Sequence, residues 1–179
     1  MPPSPELPGS APVWWWWQPL TPAYALSLPP APGSYGLRLE LDAPARCVVG
    51  RLCAVDLAAG VYIYLGSARG PGGLRARLMH HARPAARPHW HLDFLRPPLV
   101  VAGGWHCLNL PAPAQPRPYE CAWSQAALRL PGARPAAPGF GASDCQNNCP
   151  AHLIYVPGSP SAQELENLLR FSAPLAAAG

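Results

Sequence analysis

The sequence predicts an α/β domain of the α+β type: a small antiparallel sheet of about three or more strands, flanked by helices. Three observations carry this. Tyr35, Leu37, Leu39 and Leu41 alternate with Gly36, Arg38 and Glu40, the period of a half-buried strand. Val61-Tyr62-Ile63-Tyr64-Leu65 is dense in strand formers. Leu74, Arg77, Leu78 and His81 fall at i, i+3, i+4 and i+7, one face of a helix.

In chain order, the first strand spans Tyr35 to Leu41, Asp42-Ala43-Pro44 turns the chain, and Cys47-Val48-Val49 makes a short second strand. Gly60 opens the third strand, which runs to Gly66. With short connections, these three are expected to form one compact sheet. Pro71 and two glycines precede a helix from Leu74 to about Ala82, and Pro84 closes it. Its leucines must bury against the sheet, which aims Arg77 and His81 at the sheet's border. Arg75, His80 and Arg83 lie off that stripe. Pro118 suits the first turn of a second helix reaching about Leu130. A proline-alanine loop, 132–139, leads to a denser segment, Phe140 to Val156. Ser161 and Glu164 form a capping box before Leu165, Leu168 and Leu169, a short amphipathic helix for packing on the domain or a partner.

The domain is therefore expected over residues 33–156, with a Pro/Trp-rich tail over 1–32 and a C-terminal tail over 157–179. The first 32 residues hold so many prolines that regular structure is not expected there. The Trp14-Trp15-Trp16-Trp17 run can pack onto the domain, touch a partner or stack on bases.

At 179 residues the chain suits one domain with tails. No stretch approaches the roughly 20 apolar residues needed to cross a bilayer. The start lacks the basic region of a signal peptide. These features favour the cytoplasm, where the six cysteines serve as thiols or metal ligands rather than disulfides. The net charge of +4 is too small to show nucleic-acid binding. Its distribution says more, because Arg69, Arg75, Arg77, Arg83, Arg87 and Arg96 crowd one stretch against the single acid Asp93. His80, His81, His89 and His91 share it. Arginine forks hold phosphate at two points, so this stretch could face a polyanion, with Arg69, Arg75, Arg83, Arg87, His89 and His91 as its contacts. It could equally be a solvated surface.

Phosphodiester hydrolysis needs a group to activate water, a cation near the phosphate and stabilisation of the leaving oxygen. Tyr35, Tyr64, Arg77, His81 and Glu120 could supply these parts if the fold gathers them. Cys145, Cys149 and His152 carry donors suited to zinc, with a fourth ligand to come from Cys121, His89 or His91. Without metal, Ser143 and Asp144 would cap a turn and the thiols would pack.

In order along the chain, these residues resemble the GIY-YIG nuclease superfamily. Gly33-Ser34-Tyr35 and Tyr64-Leu65-Gly66 resemble its two namesake tripeptides, and Leu74-Arg75-Ala76-Arg77 with His81 resembles its arginine helix. The fuller resemblance is to a branch sometimes fused to endonuclease III-type DNA-repair glycosylases. Its marks are Gly66-Ser67-Ala68, His89-Trp90-His91-Leu92-Asp93, Glu120-Cys121, and Phe140 to Cys145 followed by Cys149 and His152. The resemblance implies a DNA endonuclease, with a role in repair, using a single magnesium or manganese ion on Glu120. It also implies Tyr35 as general base, Arg77 steadying the phosphate, and Tyr64 and His81 lining the site. A non-catalytic nucleic-acid-binding module and a Cys/His metal-binding interaction domain are the competing expectations.

Overall fold

The computed structural model describes residues 13–50, 54–83, 87–96, 98–108 and 118–170. Its strands are β1 (Trp14–Trp16), β2 (Gly33–Leu41), β3 (Ala45–Val48), β4 (Ala54–Leu57), β5 (Gly60–Ala68), β6 (Val100–Leu108), β7 (Arg134–Pro135) and β8 (Leu153–Val156). The helices are α1 (Pro22–Ser27), α2 (Gly73–His81), α3 (Tyr119–Ala127) and α4 (Ala162–Arg170), with a 3-10 turn at His91–Phe94. Six strands form one antiparallel sheet in the order β1-β6-β2-β5-β8-β7, and β3 and β4 form a separate two-stranded sheet. The architecture is α+β.

Alternation explains how two layers of core share this sheet. Tyr35, Leu37, Leu39, Tyr62 and Tyr64 face one way, packing with Leu74 and Leu78 of α2. Ile63, Leu65, Trp105, Ile154 and Val156 face the other, against Tyr119 and Trp123 of α3 and Leu165 and Leu169 of α4. A strand buried on both faces reads as a continuous apolar run, which is what 61–65 shows.

Two sequence expectations need correction here. The second strand does not join the first and third; Gly33–Leu41 pairs directly with Gly60–Ala68, and Ala45–Val48 pairs instead with Ala54–Leu57 in a separate two-stranded sheet. Nor is β2 half-buried along its length. Its second face is covered at Gly36, where an added Cβ would lie 2.1 Å from the Trp105 ring. Glycine lets that indole lie against the strand.

The expectation of no regular structure before residue 33 also fails over the described part. Thr21 caps α1 by accepting from the Tyr24 amide at 3.2 Å, and Pro22 sits in the first turn where its missing N–H costs nothing. The tryptophans form an edge strand on β6, with Trp14 stacked on His106 and Trp15 against Trp105. Trp16 is buried. Proline density was outweighed by the apolar area these rings remove from water. At the other end the capping box forms as expected, and α4 packs on the domain. Thus residues 13–32 and 157–170 share the core of the 33–156 region.

Candidate functional site

Strand pairing brings the two tyrosines together. Tyr35 lies opposite Gly66 and Leu37 opposite Tyr64 in the β2–β5 register, so both rings leave the same face, with centroids 6.3 Å apart. Gly66 gives Tyr35 its room: a Cβ there would lie 2.5 Å from the hydroxyl. Helix α2 crosses this face, and burial of Leu74 and Leu78 turns His81 inward. Its Nε2 lies 2.8 Å from the Tyr35 hydroxyl. Arg77, one turn earlier, stays half-exposed with its guanidinium 3.9 Å from the Trp90 ring centre.

Burial pushes Tyr35 well above the ordinary phenol range, with Tyr64 adding to the rise and Arg77 opposing it. Burial likewise raises Tyr64 to about 12. His81 is pushed down to about 3, by burial first and then by its neighbours His80 and Arg77. At neutral pH the pair is therefore a protonated phenol beside a neutral imidazole.

Tyr35, Tyr64, Arg77 and Glu120 line a cavity of about 650 Å³, whereas His81, expected to line the site, lies buried behind Tyr35 outside that lining. Glu120, in the first turn of α3, accepts from the Ser34 hydroxyl at 3.0 Å and pairs with Arg69 at 3.2 Å. Arg69 is more than half exposed and can swing aside. Arg69, His89 and His91 also line the cavity. Arg75, Arg83 and Arg87 lie outside that lining and are exposed, Arg75 donating to the Leu28 carbonyl at 2.8 Å. Arg96 turns inward and donates to the His81 carbonyl.

A second set of residues supports the first. Asp93 accepts from the amides of His89 and Trp90 at 2.9 and 3.0 Å and meets His80 Nε2 at 2.8 Å. Burial alone would raise its pKa, but those amides and His80 bring it below the usual carboxylate range. Asp93 thus fixes the turn that presents Trp90 to Arg77. The His-Trp-His-x-Asp run held this signal, although no role for Trp90 or Asp93 follows from spacing alone.

The same cavity contains the cysteine cluster. Of the three candidates for a fourth ligand, the fold supplies Cys121. The donor atoms of Cys121, Cys145, Cys149 and His152 all lie within 4.8 Å of one another. His91 is occupied otherwise, its Nδ1 accepting from the Gly141 amide at 3.0 Å. Cys121 Sγ is 3.5 Å from Cys145 Sγ and 3.9 Å from His152 Nε2. A tetrahedral ion with bonds of about 2.0–2.3 Å spaces its ligands about 3.5–3.8 Å apart, so the group can hold a metal ion. Burial keeps His152 toward its neutral form. Burial acts upward on Cys145, yet the amides of Cys149 and Asn147 bring its pKa below the ordinary thiol value. None of the described cysteines is in a disulfide.

A six-stranded antiparallel sheet with a polar cavity and a Cys3His cluster is the class that fold and site define. Residues 34–172 match the family described as domain of unknown function DUF123, and the chain belongs to that family. No curated protein and no solved structure matches it. No described helix is long and apolar enough to cross a membrane.

Proposed function

We propose that the chain is a metal-dependent endonuclease that hydrolyses phosphodiester bonds in DNA. The observation that carries this reading is Tyr35, hydrogen-bonded to the buried His81 behind it, set beside Arg77 and Glu120 on the wall of one cavity. In the tautomer with its proton on Nδ1, neutral His81 accepts from the Tyr35 hydroxyl. As a water attacks phosphorus, its proton passes to the Tyr35 oxygen while the phenol proton moves to His81 Nε2, whose low resting proton affinity the incoming anionic phosphate raises. The bond from phosphorus to the leaving oxygen then breaks. Such a relay is general-base catalysis through a positioned pair.

Arg77 supplies the fork that grips the scissile phosphate, and Trp90 holds that fork in place by a cation–π contact. Arg69 and His89 line the path of the flanking backbone. Glu120, with phosphate oxygens and waters, suits a magnesium or manganese ion, which usually binds through one or two carboxylates plus phosphate. That ion would stabilise charge on the leaving oxygen. Binding it requires Arg69 to leave Glu120, and an incoming phosphate gives Arg69 a new partner. We further propose zinc in the Cys3His centre, since thiolates and imidazole select it over magnesium.

Cleavage of end-labelled branched DNA by wild type and by Tyr35→Phe tests the reading. Loss of turnover with affinity intact is expected of the variant. An equally active Tyr35→Phe protein would refute the relay.

A further inference from the structure

The Cys3His centre has four protein ligands, which leaves no open position for water; such closed sites are structural rather than hydrolytic. What it would hold in place can be identified. Phe140, Ala151 and Leu153 anchor the ends of the loop in the main core. Between them, Ala142 and Cys149 pack in a small separate cluster with Cys121, and Cys145 lies against it. Little apolar area is available there to offset the entropy of ordering the segment. Yet this segment forms a wall of the cavity through Ser143, Asp144 and Asn147. Cys121 is the neighbour of Glu120 in the first turn of α3, so a metal bond to its sulfur also fixes the turn that carries Glu120.

We propose that zinc at this centre is a clamp, joining residues 142–149 to the first turn of α3, that builds the cavity wall and seats Glu120 against Ser34 and Arg69. The inference rests on the zinc reading, and on the nuclease reading only for the activity the clamp controls. Metal bound by the folded loop and not by the open one stabilises the closed wall by mass action.

Cys149 is a ligand that does not line the cavity, so Cys149→Ala removes the clamp without altering the wall's surface. Cys47→Ala on β3 is the control. The measurements on the full chain are elemental zinc content, amide hydrogen exchange and DNA cleavage. Wild type and Cys47→Ala should hold about one zinc per chain and protect residues 142–149 and 118–122 from exchange. Cys149→Ala should lose the zinc, that protection and cleavage, while β2 and β5 stay protected. Should Cys149→Ala fail to fold, chelating zinc from wild type must remove the same protection and adding zinc must restore it. A chain that binds no zinc on reconstitution, or a zinc-free chain with both segments still protected, overturns the clamp. If wild type cuts no DNA, the nuclease reading falls, while zinc content and exchange still decide this one.

Discussion

The hydroxyl of Tyr35 on β2 and Nε2 of His81 on α2 are 2.8 Å apart and buried, although 46 residues separate them in sequence. Gly66 keeps that contact possible, since a methyl group there would meet the Tyr35 hydroxyl at 2.5 Å. Gly66→Ala should therefore push the phenol off His81, with an overpacking cost of about 1–3 kcal/mol. Thermal unfolding and single-turnover cleavage check this together. Full activity in a stably folded Gly66→Ala protein would show that the hydrogen bond is not used.

A pH dependence follows from the same burial. His81 is pushed down to about 3 and His106 to about 4, both by burial first. Unfolding returns both to near 6.5. Below that pH the unfolded chain takes up protons that the folded chain refuses. Stability should be at its full value above about 6.5 and fall progressively toward the folded values. Between about pH 6.5 and 5 the carboxylates are still ionised, so the loss in that window belongs to the histidines. Replacing both by glutamine should reduce the slope of ΔG against pH there, as read by urea titration, leaving the smaller part that belongs to His152, whose pKa burial also lowers.

Much of this site was legible because it follows periodicity. The strand at 35–41 and the stripe Leu74, Arg77, Leu78, His81 each define a face, and burying the leucines delivers Arg77 and His81 to the tyrosines. The sheet's other half was not legible. β6 carries Gly103-Gly104, which weakens a strand signal, and β1 is a three-residue strand among prolines. Both exist because aromatic rings pack across them, a tertiary effect that local propensity does not contain. For the same reason spacing left three choices for the fourth metal ligand. Cys121 qualifies only once α3 lies over the loop that bears Cys145, Cys149 and His152.

The N-terminal tryptophans should matter to folding. Trp16 is 5% exposed in the core, and truncating such a side chain costs about 3–5 kcal/mol. Trp16→Ala should unfold at markedly lower denaturant concentration. An unchanged midpoint would mean that β1 is not part of the cooperative unit.

Phosphate binding through Arg77 and Arg69 should be salt-dependent, because each neutralised phosphate releases counterions. DNA affinity should fall steeply between low and moderate salt, and Arg77→Ala should shallow that slope. Trp90→Leu removes the ring beneath the guanidinium and should weaken binding less than Arg77→Ala, keeping the charge but not its position. Fluorescence anisotropy across a salt series reads both. A slope that Arg77→Ala leaves unchanged would place the phosphate contacts elsewhere.

Divalent-cation-dependent cleavage is tested most directly by incubating the wild-type chain with plasmid and branched DNA in magnesium or manganese, against a chelator control. Nicked or cut DNA with either ion, and intact DNA in chelator, is the result the cavity chemistry predicts. DNA that is bound but left uncut under every metal would contradict it, and would make the chain a binding module on the same fold.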